Sequence, residues 1–281
     1  MNEVIFLFVL GLIWILFASI QDLQSREVAN WVSFSLIIFA LGFRFFNSLF
    51  SNSNFMFFYQ GLIGLGIFFI LGMLLYYGRM FAGGDAKLMI ALGTILSFSS
   101  IFWTNVKIFV FFIILFLFVG MIYSLFWSGF LTITHFKEFK KEFTKQVYSN
   151  KKIAHIVMAF GLVLMIFGFK FDFLFLFGIL IFIVPYFYFY AKSVDESCMI
   201  KKVPVGKLTE GDWLYKNVKV GKSTIKANWD GVSLGDIEKI KKKHDFVLIR
   251  QGIPFVPVFL ISYIILGIIY FLGYIEDFLV F

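Results

Sequence analysis

Eight long apolar runs, separated by polar breaks, limit what this 281-residue chain can fold into. A helix needs about 20 mostly apolar residues to cross a bilayer. Charged residues make up 15% of the chain, whereas soluble domains average about a quarter. We therefore predict an all-α polytopic membrane protein with a small α+β cytoplasmic insertion before its last helix. The eight predicted transmembrane helices cover 4–21, 30–50, 57–78, 87–103, 107–133, 153–169, 172–190 and 254–275.

Breaks in this pattern divide the chain into membrane segments and two lysine-rich polar stretches. The longer stretch has about sixty residues, too few to bury a large core of its own. We predict five segments: a membrane core with two aspartate motifs (1–134), a basic cytoplasmic loop (135–152), a transmembrane helical hairpin (153–191), a cytoplasmic soluble segment (192–252) and a C-terminal transmembrane helix (253–281).

The soluble segment has short patterns instead of long apolar runs. Ser233 precedes Leu-Gly-Asp and is typical of a helix N-cap, so a short helix is expected to follow it through 237–243. Three short strands are predicted before that helix, at 213–215, 218–220 and 223–225.

The distribution of positive charge predicts the orientation of the chain in the membrane. Of the 25 lysines and arginines, 22 lie around the first and third loops, in 135–152 and in 192–252. Eight spans would place these regions on one side, and Lys and Arg are enriched on the cytoplasmic side. We expect a multi-pass protein of the cell membrane with both termini outside and with Arg44, Lys107 and Lys170 in the opposite half. Cations that flank membrane segments favour anionic lipid over nucleic acid as their partner.

Two aspartates occupy matching places in this arrangement. Asp22 ends the first apolar run, and Asp85 precedes the fourth, so both are expected at the cytoplasmic ends of their helices. Carboxylates at membrane depth are costly and tend to mark function. Gly83 and Gly84 lack side-chain bulk, which lets another backbone or an extended substrate approach closely. Two carboxylates in a partly dry site do not both ionise easily, so one acts as an acid and the other as a base.

Other catalytic or metal-binding groups are scattered. The single cysteine, Cys198, excludes an internal disulfide and a cysteine-cluster zinc site. His135, His155 and His244 lie apart in or next to cationic stretches, and no His-Glu-x-x-His motif occurs. Ser233 fits the Gly-x-Ser-x-Gly string, but that motif needs a sizeable hydrolase sheet around it. We predict neither a metal nor a cofactor.

The two aspartate segments resemble the motifs of a known family. Asp22-Leu-Gln-Ser-Arg26-Glu-Val-Ala-Asn30 is similar to the first aspartate motif of the type IV prepilin peptidases, which are membrane aspartyl proteases. Residues 82–87, Ala-Gly-Gly-Asp-Ala-Lys, resemble their second motif, Gly-x-Gly-Asp followed by a small or apolar residue and Lys. The stretches 208–214 and 252–257 resemble the archaeal branch, which includes the preflagellin peptidases. The resemblance implies that Asp22 and Asp85 are catalytic and that a supporting set surrounds them: Arg26, Asn30, Gly83, Gly84 and Lys87.

The resemblance also implies a substrate. Such enzymes cut pilin-like or archaellin-like precursors between a short basic leader and an apolar helix, at the cytoplasmic face of the membrane. Bacterial members often carry a four-cysteine zinc domain linked to N-methylation of the product, and one cysteine cannot build it, so we expect a peptidase without methyltransferase activity. Ala82 replaces the first glycine of the family motif, so the backbone there must accept a methyl group. The choice between pilin and archaellin and the oligomeric state stay open.

Two rival interpretations share the same carboxylates. An intramembrane protease of the presenilin or signal-peptide-peptidase type would carry Tyr-Asp and Pro-Ala-Leu, whereas Gln21 precedes Asp22 here and no Pro-Ala-Leu occurs. A proton-coupled transporter would place its carboxylates near the bilayer centre, on discontinuous helices in paired halves. Both aspartates of this chain are expected at one membrane face, which favours the peptidase.

Overall fold

The computed structural model describes residues 2–50, 55–221 and 223–275. These residues belong to two compact units, one formed by Met1–Leu125 with Ile253–Phe281 and the other by Phe126–Gly252. In the described chain the α-helices are, in order, α1 Asn2–Ser25, α2 Asn30–Phe50, α3 Met56–Tyr77, α4 Gly83–Ile95, α5 Phe102–Thr134, α6 Phe136–Phe167, α7 Asp172–Ser197, α8 Leu234–Lys241 and α9 Val256–Phe271.

Six of these helices are long and apolar enough to cross a membrane: α1, α2, α3, α5, α6 and α7. The helical membrane class is therefore confirmed, but eight full-length spans are not. The run predicted at 87–103 forms the 13-residue α4, and that at 254–275 forms the 16-residue α9. α4 ends early because a serine-rich turn follows it. In that turn the Asn105 side chain accepts a hydrogen bond from the Ser99 N–H at 2.9 Å and donates one to the Ser99 carbonyl at 2.7 Å.

The first unit is organised around α4, which packs closely against α3. A Cβ added at Gly64 would clash with the Gly93 carbonyl oxygen, and one added at Gly93 would clash with the Gly64 carbonyl oxygen. Small residues let membrane helices approach to backbone contact in this way. Buried side chains from α1, α2, α5 and α9 complete the core, among them Leu36, Phe112 and Phe259. α4 is therefore fixed along its length.

The predicted basic loop at 135–152 is wrong in its conformation, because these residues form the first half of α6. Neither glycine nor proline occurs between Gly129 and Gly161, so nothing in the chain interrupts a helix there. Polar pairs along the helix support it: Lys145 forms an ion pair with Glu142 at 3.0 Å, and Gln146 donates to Glu142 at 2.7 Å. The predicted helices 153–169 and 172–190 are joined by a short 3₁₀ helix at Gly168–Lys170.

The soluble segment, in the second unit, contains two small antiparallel sheets. The three predicted strands are confirmed, and Ser233 caps α8 by accepting a hydrogen bond from the Asp236 N–H at 3.2 Å. Two strands were missed, at 200–204 and 246–250, and they pair with each other. The five strands are β1 Ile200–Pro204, β2 Trp213–Leu214, β3 Val218–Val220, β4 Ser223–Ile225 and β5 Phe246–Arg250, arranged as a sheet β1-β5-β2 and a hairpin β3-β4.

Side-chain contacts join this sheet to the end of α7. The Glu196 carboxylate accepts hydrogen bonds from the Tyr215 hydroxyl at 2.8 Å and from the Arg250 guanidinium at 3.2 Å. The bond to Glu196 raises the pKa of Tyr215. The predicted five-segment division stays a prediction, and residues 276–281 of its last segment lie outside the described residues.

Candidate active site

Asp22 lies near the end of α1 and is 6% exposed. One of its carboxylate oxygens, Oδ2, accepts a hydrogen bond of 2.9 Å from the backbone N–H of Val256. Val256 is the first residue of α9. The carboxylate therefore contacts a helix N-terminus, where unsatisfied N–H groups and the helix dipole favour negative charge.

Asp85 lies in the first turn of α4 and is partly exposed. Its carboxylate is close enough to Asp22 for the two charges to interact. The surrounding motif residues also meet: the Lys87 ammonium donates a hydrogen bond of 2.7 Å to the Asn30 side-chain oxygen. The segments around Asp22 and Asp85, which are about sixty residues apart in sequence, thus come together at one end of the first unit.

Arg26 turns the chain directly after α1. Its φ is 62°, a left-handed conformation that side chains other than glycine seldom adopt, and its N–H donates to the Asp22 carbonyl at 2.9 Å. The guanidinium lies within electrostatic reach of the Asp22 carboxylate. Burial lowers the pKa of Arg26, and the charge of Asp22 opposes that change. Arg26 therefore reverses the chain after α1 and brings a positive charge close to Asp22.

The two glycines before Asp85 have room around them. A Cβ added at Gly84 would lie 3.5 Å from the Val28 side chain, and one at Gly83 would lie 3.9 Å from Tyr76, both ordinary contacts. Ala82 has φ −71° and ψ 162°, an extended conformation that any residue can adopt. The backbone therefore accepts the methyl group of Ala82, and packing within the chain does not require glycine at 83 or 84.

Two neighbours of Asp22 were missed by sequence reasoning. Val256 acts through its backbone N–H, which has no side-chain signature, and only the flanking Pro254 and Pro257 marked a helix start there. Tyr123, on α5, lies within electrostatic reach of both Asp22 and Arg26. A single tyrosine in an apolar run carries no signal that would have separated it from an ordinary membrane residue.

Arg44, which is predicted in the opposite half of the membrane, has a fully buried side chain. The guanidinium donates to the carbonyls of Thr94 at 2.8 Å, Phe57 at 2.9 Å and Ser97 at 2.6 Å. Arg44 thus binds the carbonyl end of α4, where the helix dipole favours positive charge.

Other polar residues singled out in the sequence lie in the second unit, away from the two aspartates in sequence. His244 bonds to the Lys219 carbonyl at 2.8 Å, and Cys198 is buried. The Asp212 carboxylate accepts from the Thr209 N–H at 2.8 Å, which is typical of a turn. Across the described ranges no three His, Cys, Asp or Glu residues lie together as a metal site would require.

Comparison with known proteins supports the resemblance seen in the motifs. Residues 9–133 match the model of the type IV leader peptidase family. The chain is 35% identical over 89 residues to a preflagellin peptidase of Methanocaldococcus jannaschii, a match that covers 32% of this chain and 37% of that protein. No solved structure matches the chain.

Two further preflagellin peptidases give matches of the same extent. Identity is 28% over 88 residues with that of Methanococcus maripaludis, covering 31% of this chain and 37% of the relative. Identity is 32% over 89 residues with the preflagellin peptidase of Methanococcus voltae, covering 32% of this chain and 37% of the relative. Each match thus spans 37% of the relative's length. The resemblance to this family and its archaeal branch is confirmed; the likeness at 208–214 and 252–257 lies outside residues 9–133 and stays a prediction.

Proposed function

We propose that this chain is a membrane aspartyl endopeptidase that removes the short basic leader of pilin-like or archaellin-like precursors. The observation that carries the proposal is the meeting of Asp22 and Asp85, with Arg26, Asn30 and Lys87 around them, at one end of the first unit. The family match over residues 9–133 includes both motifs, and relatives named preflagellin peptidase support the substrate class.

The chemistry needs only the two carboxylates and a water molecule. One carboxylate, as a general base, takes a proton from water while the water oxygen attacks the scissile carbonyl carbon. The other, as a general acid, gives its proton to the leaving amine when the C–N bond breaks. Such proton transfers contribute about 10²–10⁴-fold to a rate. The low exposure of Asp22 strengthens the interaction between the two groups.

The site also fits the geometry of the substrate. A precursor of this type has an apolar helix that lies in the bilayer and a basic leader that lies outside it. Asp22 at the end of α1 and Asp85 at the start of α4 would meet the bond between these two parts. The excess of Lys and Arg in the regions predicted on the same side as these helix ends supports the cytoplasmic face as the place of cleavage. The open space at Gly83 and Gly84 would admit an extended substrate backbone.

The transporter alternative has no supporting observation in the described chain. It predicts carboxylates in the middle of the membrane, between two repeated halves. Asp22 lies three residues before the end of α1, and Asp85 is the third residue of α4. We also infer an endopeptidase without N-methyltransferase activity, because the sequence has a single cysteine and cannot form a four-cysteine zinc domain.

A cleavage assay in oriented membrane vesicles tests this proposal. Full-length protein in inside-out vesicles is expected to cut a precursor with a basic leader, and sequencing of the product should show a new N-terminus at the start of the apolar helix. Asp22→Asn and Asp85→Asn should each lower the cleavage rate by at least about 10²–10⁴-fold. The amide keeps the shape of the carboxyl group but can neither accept nor supply the proton.

Matched aspartates in the soluble segment serve as controls. Asp212→Asn and Asp236→Asn change a turn and a helix cap, so these variants should cleave at the wild-type rate. The melting temperatures of Asp22→Asn and Asp85→Asn should stay near that of the wild type. Normal cleavage by Asp22→Asn would contradict the dyad, and loss of cleavage together with unfolding would indicate a purely structural role.

A further inference from the structure

The N-terminus of α9 bears directly on the roles of the two aspartates. The Val256 N–H lies 2.9 Å from Asp22 Oδ2, and Val256 itself is fully buried. Water therefore does not compete for this N–H, and the carboxylate is its partner within the described chain. A buried hydrogen bond to an ionised acceptor is shorter and stronger than one between neutral groups.

The local sequence directs this particular N–H to Asp22. Pro254 and Pro257 have no N–H groups, so few backbone donors remain at the start of α9. The next donor in the helix, the Val258 N–H, bonds to the Phe255 carbonyl at 3.0 Å. The two prolines thus leave the N–H groups of Phe255 and Val256 to face the carboxylate, and that of Val256 makes the 2.9 Å hydrogen bond.

The groups around Asp22 differ in charge from those around Asp85. Asp22 faces the N-terminal end of α9, the guanidinium of Arg26, the phenol of Tyr123 and the carboxyl of Asp85. The titratable residues of α9 itself, Tyr263 and Tyr270, lie two or more helical turns beyond Val256, at a rise of about 1.5 Å per residue. Asp85 benefits from its own helix N-terminus but faces the negative charge of Asp22, and the nearby Lys87 bonds to Asn30.

We propose that the N-terminus of α9 holds Asp22 as the carboxylate, so that Asp22 is the general base and Asp85 the general acid of the proposed peptidase. The assignment rests on the proposed function, and it makes Val256 a positioning residue that acts through Asp22. In one turnover a water proton moves to Asp22 and the hydroxyl joins the carbonyl carbon. The Asp85 proton moves to the leaving nitrogen as the C–N bond breaks, and transfer of the remaining proton from Asp22 to Asp85 restores the starting state.

The test replaces one backbone N–H without changing a side chain. Incorporating 2-hydroxyisovaleric acid at position 256 of the full-length protein substitutes an ester oxygen for the Val256 N–H. The same replacement at Val258 is the matched control, because its N–H bonds to Phe255 and not to Asp22. Cleavage of a synthetic precursor is then measured against pH for both esters and for the wild type.

The ester at 256 should move the acidic limb of the kcat/KM profile to higher pH, because the carboxylate loses a hydrogen bond that favours its charged form. On that limb the rate should fall by about tenfold or more, whereas the ester at 258 should keep the wild-type profile. An unchanged acidic limb in the 256 ester overturns the proposal.

A second measurement does not depend on cleavage. The difference in melting temperature between the 256 and 258 esters should be larger at neutral pH than at acidic pH, since a protonated Asp22 no longer gains from the N–H. A difference that does not vary with pH overturns the assignment. If the wild type cuts no precursor, this measurement still decides whether α9 holds Asp22 as an anion.

Conventional variants give the answer if the ester at 256 does not fold. Asp85→Asn retains a hydrogen-bond donor in the place of the acid, whereas Asp22→Asn removes the carboxylate that takes the proton from water. Asp85→Asn should therefore keep about tenfold more residual activity than Asp22→Asn, within the range that acid–base catalysis contributes. The reverse order overturns the assignment.

Discussion

The two ends of α4 show how differently one short helix can use charge. At its first turn Asp85 is partly exposed, flanked by Gly83 and Gly84, with space around both. At its last turn Arg44 is buried and donates to three carbonyl oxygens, those of Thr94, Phe57 and Ser97. The C-terminal end of α4, the far end, is fixed by the Arg44 charge, whereas the N-terminal end, the near end, leaves the Asp85 residue partly exposed.

The glycines along α4 repeat this contrast. Gly93 has no space for a Cβ because the Gly64 carbonyl is against it, whereas Gly84 would make only ordinary contact with Val28. Glycine at 93 is therefore explained by packing within the chain. Glycine at 84 is not, which is the expected result if a substrate backbone occupies that space.

The largest effect should come from removing the buried cation at the far end. Arg44→Met leaves the carbonyls of Thr94, Phe57 and Ser97 without this donor, and hydrogen bonds to charged groups contribute about 1.5–3 kcal/mol each. We expect the free energy of unfolding to fall by at least about 3–5 kcal/mol, with turnover per folded molecule near that of the wild type. Denaturation in detergent and cleavage by the folded fraction provide the two measurements.

Arg44→Lys is the matched variant for that experiment. It keeps the charge, but an ammonium lacks the planar fork that reaches several carbonyls at once, so its stability should lie between those of the wild type and Arg44→Met. If Arg44→Met kept its stability but lost turnover, the far end would take part in catalysis and the contrast between the two ends would fail.

A smaller effect is expected from adding a methyl group at the near end. Gly84→Ala should leave the melting temperature unchanged, yet lower cleavage by about a hundredfold if the methyl displaces the substrate by about 1 Å. Gly93→Ala should do the opposite, destabilising the protein through its clash with Gly64. Gly66→Ala is the control, because a Cβ there has nothing within 4 Å. Full activity in Gly84→Ala would show that the space at 84 is not used by the substrate.

The near end could be predicted from sequence better than the far end. Helix positions follow from long apolar runs, and the motif residues Asp22, Asn30, Asp85 and Lys87 are recognisable from their spacing. The length of α4 could not be predicted, because it depends on a serine-rich turn closed by Asn105. Whether an arginine in an apolar run is buried, as Arg44 is, depends on partners up to 53 residues away.

Pairings between distant segments explain two of the other failures, and a loop-like composition explains the third. β1 and β5 are joined across about forty residues, and Lys201, Lys202 and Pro204 give β1 little strand character of its own. The lysine-rich start of α6 resembles a solvated loop in composition, although it is helical and Lys145 pairs with Glu142 along it. The bond between Val256 and Asp22 spans 234 residues and uses a backbone N–H, so no local pattern could indicate it.

The smallest expected effects come from glycine substitutions at Arg26 and Arg79. Together they separate the contribution of backbone conformation from that of positive charge beside the near end. Arg26 and Arg79 end α1 and α3 in the same left-handed conformation, with φ of 62° and 59°. A residue with a side chain loses about 1–2 kcal/mol there relative to glycine. Arg79→Gly should therefore raise the free energy of unfolding by up to about 1 kcal/mol and leave cleavage unchanged, since Arg79 is exposed.

Arg26→Gly should gain the same relief of backbone strain but lose the positive charge near Asp22. Its gain in stability should be smaller than that of Arg79→Gly, and its cleavage rate should fall by about tenfold, since a nearby charge contributes on the order of 1 kcal/mol. Unfolding midpoints and cleavage rates of the two variants, measured side by side, separate the two effects. Equal behaviour of the two variants would mean that Arg26 serves only to reverse the chain.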